Sequence, residues 1–131
     1  MEQEEQHLQD YEITGEIAPE VLTARLLQLP EEIRVQEANC QELARALRIA
    51  ELEFERTQAQ LHMEARNSGE NSTDSKMISI RDSVNWQGQV VEAESAYKAA
   101  VVVLNKKERE FVSLRKVASL KTEELREVRR Q

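Results

Sequence analysis

Glycine, proline, cysteine and aromatic residues are all scarce in this chain. Three glycines and two prolines among 131 residues leave little material for the tight turns of a sheet, and Glu, Gln, Ala, Leu and Arg dominate instead. The expected fold class is therefore all-α. One cysteine, Cys40, cannot close an intrachain disulfide, and no N-terminal apolar stretch resembles a secretion signal, so a reducing cytosol is the expected compartment. The most apolar run, Ala99 to Leu104, is far shorter than the roughly 20 residues that a membrane-spanning helix needs. Aromatic side chains make up 4% of the chain, which leaves little for base stacking.

Motifs of catalysis are equally sparse. Gly69 sits among Asn and Ser, with neither a following Gly-Lys-Ser/Thr nor a preceding strand, so there is no phosphate-binding loop. His7 and His62 have no Cys or His at ligand spacing, which predicts no metal site. Cys40 lies in an apolar pattern and reads as a small buried hydrophobe. Acidic residues are plentiful, but paired acid and base chemistry needs a concave apolar pocket, which long helical rods seldom supply. The chain is not expected to be an enzyme, to hold a cofactor or to take a small-molecule substrate.

Heptads are what the sequence does have. Val90, Tyr97, Leu104, Phe111, Ala118 and Leu125 recur every seventh residue, accompanied by Trp86, Ala93, Ala100, Leu114 and Val128. A second series runs through Ile33, Cys40, Leu47, Phe54 and Leu61, with Leu43, Ala50 and Thr57 beside it. Such spacing makes a helix that packs against another helix, in the manner of a coiled-coil seam. Lys107 and Lys121 fall on seam positions, where a charge weakens or specifies pairing.

The expected layout begins with an acidic arm over residues 1–15 and continues as one helical-hairpin domain over 16–131. Pro19 can open a short helix over about 18–29, and Pro30 either ends it or kinks a longer rod that continues over about 31–66. Residues 67–75 form a polar break of Gly, Asn, Asp and Ser that cannot continue a helix. Met77, Ile78 and Ile80 restore apolar character, to cap the hairpin or to meet a neighbouring subunit. Asp82-Ser83 then offers an N-cap to a long helix over about 83–130.

At about 1.5 Å per residue the two rods would span roughly 54 Å and 72 Å, so the longer one would overhang an antiparallel partner. The turn Ala96 to Leu104 is apolar nearly all round. Together these features predict a homo-oligomer, assembled through Tyr97, Val101, Val102, Val103, Leu104 and Phe111.

Charge is divided unevenly along the chain. Residues 1–75 hold 6 basic and 17 acidic side chains, a net of −11, whereas residues 76–131 hold 12 and 8, a net of +4. Overall acidity excludes a general coater of DNA, but the C-terminal part escapes that objection. On the last helix Lys106, Arg109 and Lys116 belong to an outward basic stripe, interrupted by Glu123 and Glu127.

A short N-terminal helix, a long helix, a polar Gly-bearing break, a few aliphatics and a long helix tending to basic make a layout that resembles phage recombination mediators of the UvsY type. That family carries a basic Lys-Ala-Arg stretch shortly before the break, implicated in binding single-stranded DNA. Here the run reads Glu64-Ala65-Arg66, so Arg66 alone carries over. The resemblance implies a phage-encoded oligomeric ring in the host cytoplasm that binds single-stranded DNA and helps to load a recombinase. Lys76 and Arg81, flanking the break, become additional phosphate contacts by proximity. The alternative is a structural or adaptor coiled-coil hairpin that binds only proteins.

Overall fold

The computed structural model describes residues 17–130, and the expected acidic arm over 1–15 lies outside them. Three helices make up the described chain: α1, Pro19–Asn67; α2, Ser72–Asp82; and α3, Val84–Arg130. No strand occurs among the described residues.

α1 opens on Pro19, where the missing N–H would have had no intrahelical acceptor in any case. Pro30 lies inside this helix, so the expected helices over 18–29 and 31–66 are one element, and the short N-terminal helix does not exist as a separate piece. An interior proline forgoes one backbone hydrogen bond and crowds the carbonyl four residues earlier, at a cost of about 3 kcal/mol. Packing on both sides offsets it: Leu22 and Leu29 are buried ahead of the proline, and Ile33 and Gln36 are half-buried beyond it.

The expected polar break is shorter than its composition suggests. Only residues 68–71 leave helical structure, because each end of the gap is capped. Gly69 takes φ 97°, a conformation that L side chains rarely adopt, and its N–H donates to the Arg66 carbonyl at 3.0 Å. The Glu70 N–H donates to the Ala65 carbonyl at 3.1 Å, completing a Schellman stop for α1. Asn71 then caps α2, its side-chain oxygen accepting from the Asp74 N–H at 2.8 Å. α2 is thus the short helix of the described chain, and only its start, Ser72 to Ser75, falls in the stretch expected to be irregular. Ser83 closes α2 by donating its N–H to Ser79, and its own carbonyl accepts from Gln87 in the first turn of α3.

The chain divides into two compact units, one of residues up to Glu37 with those from Val103 onward, the other of Ala38–Val102. In the first, Ile17, Leu22, Leu29 and Leu114 are buried together, with Leu26, Phe111, Val117 and Ala118 packed against them. α1 and α3 run in opposite directions here, since Ile17, Arg25 and Glu32 meet Lys121, Glu110 and Lys107 in turn. In the second unit Cys40, Ala65 and Ala100 are buried, and Leu43, Leu47, Phe54 and Leu61 of α1 are half-buried, as are Trp86, Val90, Ala93 and Tyr97 of α3.

In both units the covered positions of the long helices follow the seven-residue series. Leu125 and Val128 are exceptions, exposed along with every other residue from 122 to 130. α1 and α3 contain 49 and 47 residues, so the overhang expected from unequal rods is not a consequence of their lengths.

α2 packs through an unexpected face. Its buried residues are Ser75 and Ser79, with Ser83 buried just beyond its end, while Met77 and Ile80 are exposed and Ile78 is half-buried. Residues four apart share one side of a helix, and serines there let a neighbouring backbone approach closely. Each hydroxyl is satisfied locally: Ser75 donates to the Glu70 carbonyl at 3.5 Å, Ser79 to Lys76 at 2.8 Å and Ser83 to Ile80 at 3.2 Å.

Candidate interaction surfaces

In the Ala38–Val102 unit the residues expected to meet phosphate are Arg66, Lys76 and Arg81, and all three are exposed. Arg66 occupies the last turn of α1, beside the Gly69 stop. Lys76 projects from α2 into a shallow open groove whose other wall is Glu55, Gln58, Ala59 and His62 of α1, with Ser79 and Ile80 beside it. Arg81 donates through Nε to the Asp82 carboxylate at 3.0 Å. That hydrogen bond, with the attraction of the carboxylate charge, raises the pKa of the guanidinium. Arg81 is therefore already engaged with an acid, and a phosphate would have to displace it.

Lys106, Arg109 and Lys116 belong to the other unit and are exposed on α3. Lys116 lines a shallow groove with Val112, Arg115, Ser119, Leu120 and Glu123, a surface that mixes apolar and charged side chains. Arg115 also lies over the Phe111 ring, 5.7 Å from its centroid. Arg109 and Lys116 make no ion pair among the described residues.

The six residues expected to drive assembly divide in a similar way. Phe111 packs into the core of its own unit, and Tyr97, Val101 and Leu104 are half-buried within the chain. Val102 and Val103 are exposed, at 66% and 42%. The apolar girdle expected around this turn is accordingly covered on one side by the chain itself and open at two valines.

A polar cluster around Arg25 joins α1 to α3 in the first unit. Arg25 donates through Nε and one terminal nitrogen to both oxygens of Glu110, at 2.7 and 3.2 Å, and through its other terminal nitrogen to Glu32. Lys107 reaches the second oxygen of Glu32 at 3.2 Å. The hydrogen bond to Glu110 and the two carboxylate charges outweigh partial burial and raise the pKa of Arg25. Lys121 donates to the Ile17 carbonyl at 2.5 Å, so both seam lysines have partners across the helix pair. One sequence signal was available: Arg25 lies three residues after Leu22 and four before Leu29, on an apolar face where an arginine needs an acid.

Cys40 is buried on α1 and His62 half-buried at the groove wall. Among the described residues no group of three or more His, Cys, Asp or Glu side chains could hold a metal ion. No helix there is long and apolar enough to cross a membrane. Compared with protein-family models, with curated proteins and with solved structures, the chain matches none.

Proposed function

We propose that this chain is an oligomeric helical interaction protein, whose two long helices pack on each other through coiled-coil seams and meet further helices through their outward faces. The carrying observation is the distribution of apolar side chains. Sixteen described large apolar residues are exposed, from Val21 at 41% to Leu27 at 75%, whereas seven apolar residues are buried. Scattered exposure is ordinary for a monomer, but here it recurs along both long helices, including Ile49, Leu52 and Met63 of α1 and Val102, Val103, Val112 and Leu120 of α3. Light-scattering mass across a concentration series tests this reading. Self-association that weakens on Val102→Glu with Val103→Glu is the expected result, and a monomer at every concentration contradicts it.

A second reading makes the assembly a recombination accessory that binds single-stranded DNA and assists recombinase loading, as the UvsY-type layout implies. The observation that favours it is the pair of exposed cations Arg109 and Lys116, which no acid engages among the described residues. Repetition around an oligomer would multiply a modest basic stripe. Fluorescence anisotropy with labelled single-stranded DNA tests it. Binding should weaken steeply with salt and further on Arg109→Ala with Lys116→Ala, and no binding at low salt leaves the protein-only interaction module.

A further inference from the structure

α1 carries a second periodicity, of eleven residues. Glu20, Glu31, Glu42, Glu53 and Glu64 recur at that interval, and Arg34, Arg45 and Arg56 each follow an acid by three positions. Eleven residues of α-helix make three turns plus about 20°, so each series forms a nearly straight row along the axis. A three-residue offset places the rows about 60° apart, side by side on one face. Within the Ala38–Val102 unit, Glu42, Glu53, Glu64, Arg45 and Arg56 are all exposed. Ile49 and Gln60, also eleven apart and also exposed, lie on the line between the rows. This face points away from Cys40, Leu47, Phe54 and Leu61, which are covered within the chain.

The basic row is open in a way that the first repeat is not. Glu31 and Arg34 close on each other at 2.6 and 3.0 Å, whereas Arg45 and Arg56 make no ion pair among the described residues. Two arginines beside three glutamates do not suit a phosphate backbone, because the acid row repels what the basic row attracts. The charges suit a surface carrying the same two rows, which is a second copy of this chain.

Relative orientation follows from the same pattern. When two helices lie antiparallel about a two-fold axis, each edge of one faces the same edge of the other, and acid would oppose acid. When they lie parallel, each edge faces the opposite edge, and the acid row of each copy meets the basic row of the other on both sides. We infer that two copies pack α1 against α1 in parallel and in register, Glu42 and Glu53 of each copy facing Arg45 and Arg56 of the other across paired Ile49 side chains. This rests on the self-association proposed above and assigns it a surface distinct from the α3 valines.

Sedimentation velocity on the full chain tests it, with circular dichroism checking that each exposed-site variant stays folded. Arg45→Glu with Arg56→Glu, and separately Glu42→Arg with Glu53→Arg, should each weaken self-association by about tenfold or more. An equimolar mixture of the two double variants should restore it as a one-to-one heterodimer. In a Cys40→Ala background, Ile49→Cys and Gln60→Cys should each form a disulfide-linked homodimer on mild oxidation. Association unchanged by both reversals, or no rescue in the mixture, overturns the surface, and crosslinking at Ile49→Cys but not at Gln60→Cys overturns the parallel register. If Val102→Glu with Val103→Glu dissociates the oligomer while the reversals leave it intact, self-association stands and this interface falls. A wild-type monomer removes both.

Discussion

Arg25 serves two carboxylates at once from the apolar face of α1, and its geometry fixes what its loss does. Its side chain is 18% exposed and that of Glu110 is 15%, so solvent replaces little of what a truncation removes. Arg25→Ala should lower stability by about 2 kcal/mol in urea denaturation, because Glu110 is left partly buried without its donor. Arg25→Lys should recover only part of this, since a single ammonium cannot hold both oxygens of Glu110 and reach Glu32. Its raised pKa adds no pH dependence in the working range: stability from a raised cation is present below its unfolded value and lost only in strong alkali. Glu31 behaves in the opposite sense. The hydrogen bond from Arg34, then its charge, lowers the pKa of this carboxyl from the ordinary 4.5. Its small contribution is therefore complete above that value and disappears as pH falls through the lower folded one. An NMR titration should find the Glu31 midpoint below 4.5, and Arg34→Ala should return it toward the ordinary value.

The helices show why some boundaries were legible and others were not. Seven-residue spacing identified the covered face of both long helices because burial in a helix pair imposes that spacing on the sequence, and Cys40, Phe54, Ala100 and Leu114 all obey it. Pro30 left two outcomes open, an end or a kink, because its local penalty says nothing of the packing that decides between them. Pro30→Ala restores a backbone donor at a site already helical and should raise stability by about 2 kcal/mol, seen as a higher denaturation midpoint with an unchanged slope. Composition misleads at α2. Ser72, Thr73, Asp74 and Ser75 looked like loop by composition, yet Asn71 caps them and Ser75 is their buried contact. The inward serines predict an asymmetry: Ser79→Ala should be nearly neutral, whereas Ser79→Leu should cost about 1–3 kcal/mol because Ser79 is buried and its surroundings would have to shift for a larger side chain. Thermal melts of the two variants would show the difference.

For the whole chain, what could be read in advance was the helical class and the positions that face inward. The interaction surface was only partly legible, because heptads report the covered side of a helix and are silent about the exposed one. Tyr97, Leu104 and Phe111 are half-buried within the chain itself, which leaves only part of each for a neighbour, while the eleven-residue rows of α1 have a period that heptads do not register. Charge told a similar story: Arg81 counts as basic in a sum, but in space Asp82 accompanies it. The serine face of α2 carries one more consequence. A helix whose buried side chains are serines exposes little new apolar area when it lifts away, so its opening should respond weakly to denaturant even where global unfolding responds strongly. Native-state hydrogen exchange should find the amides of Ser72–Asp82 exchanging at a rate almost independent of low urea concentration, while those around Leu29 and Leu114 accelerate with the whole molecule.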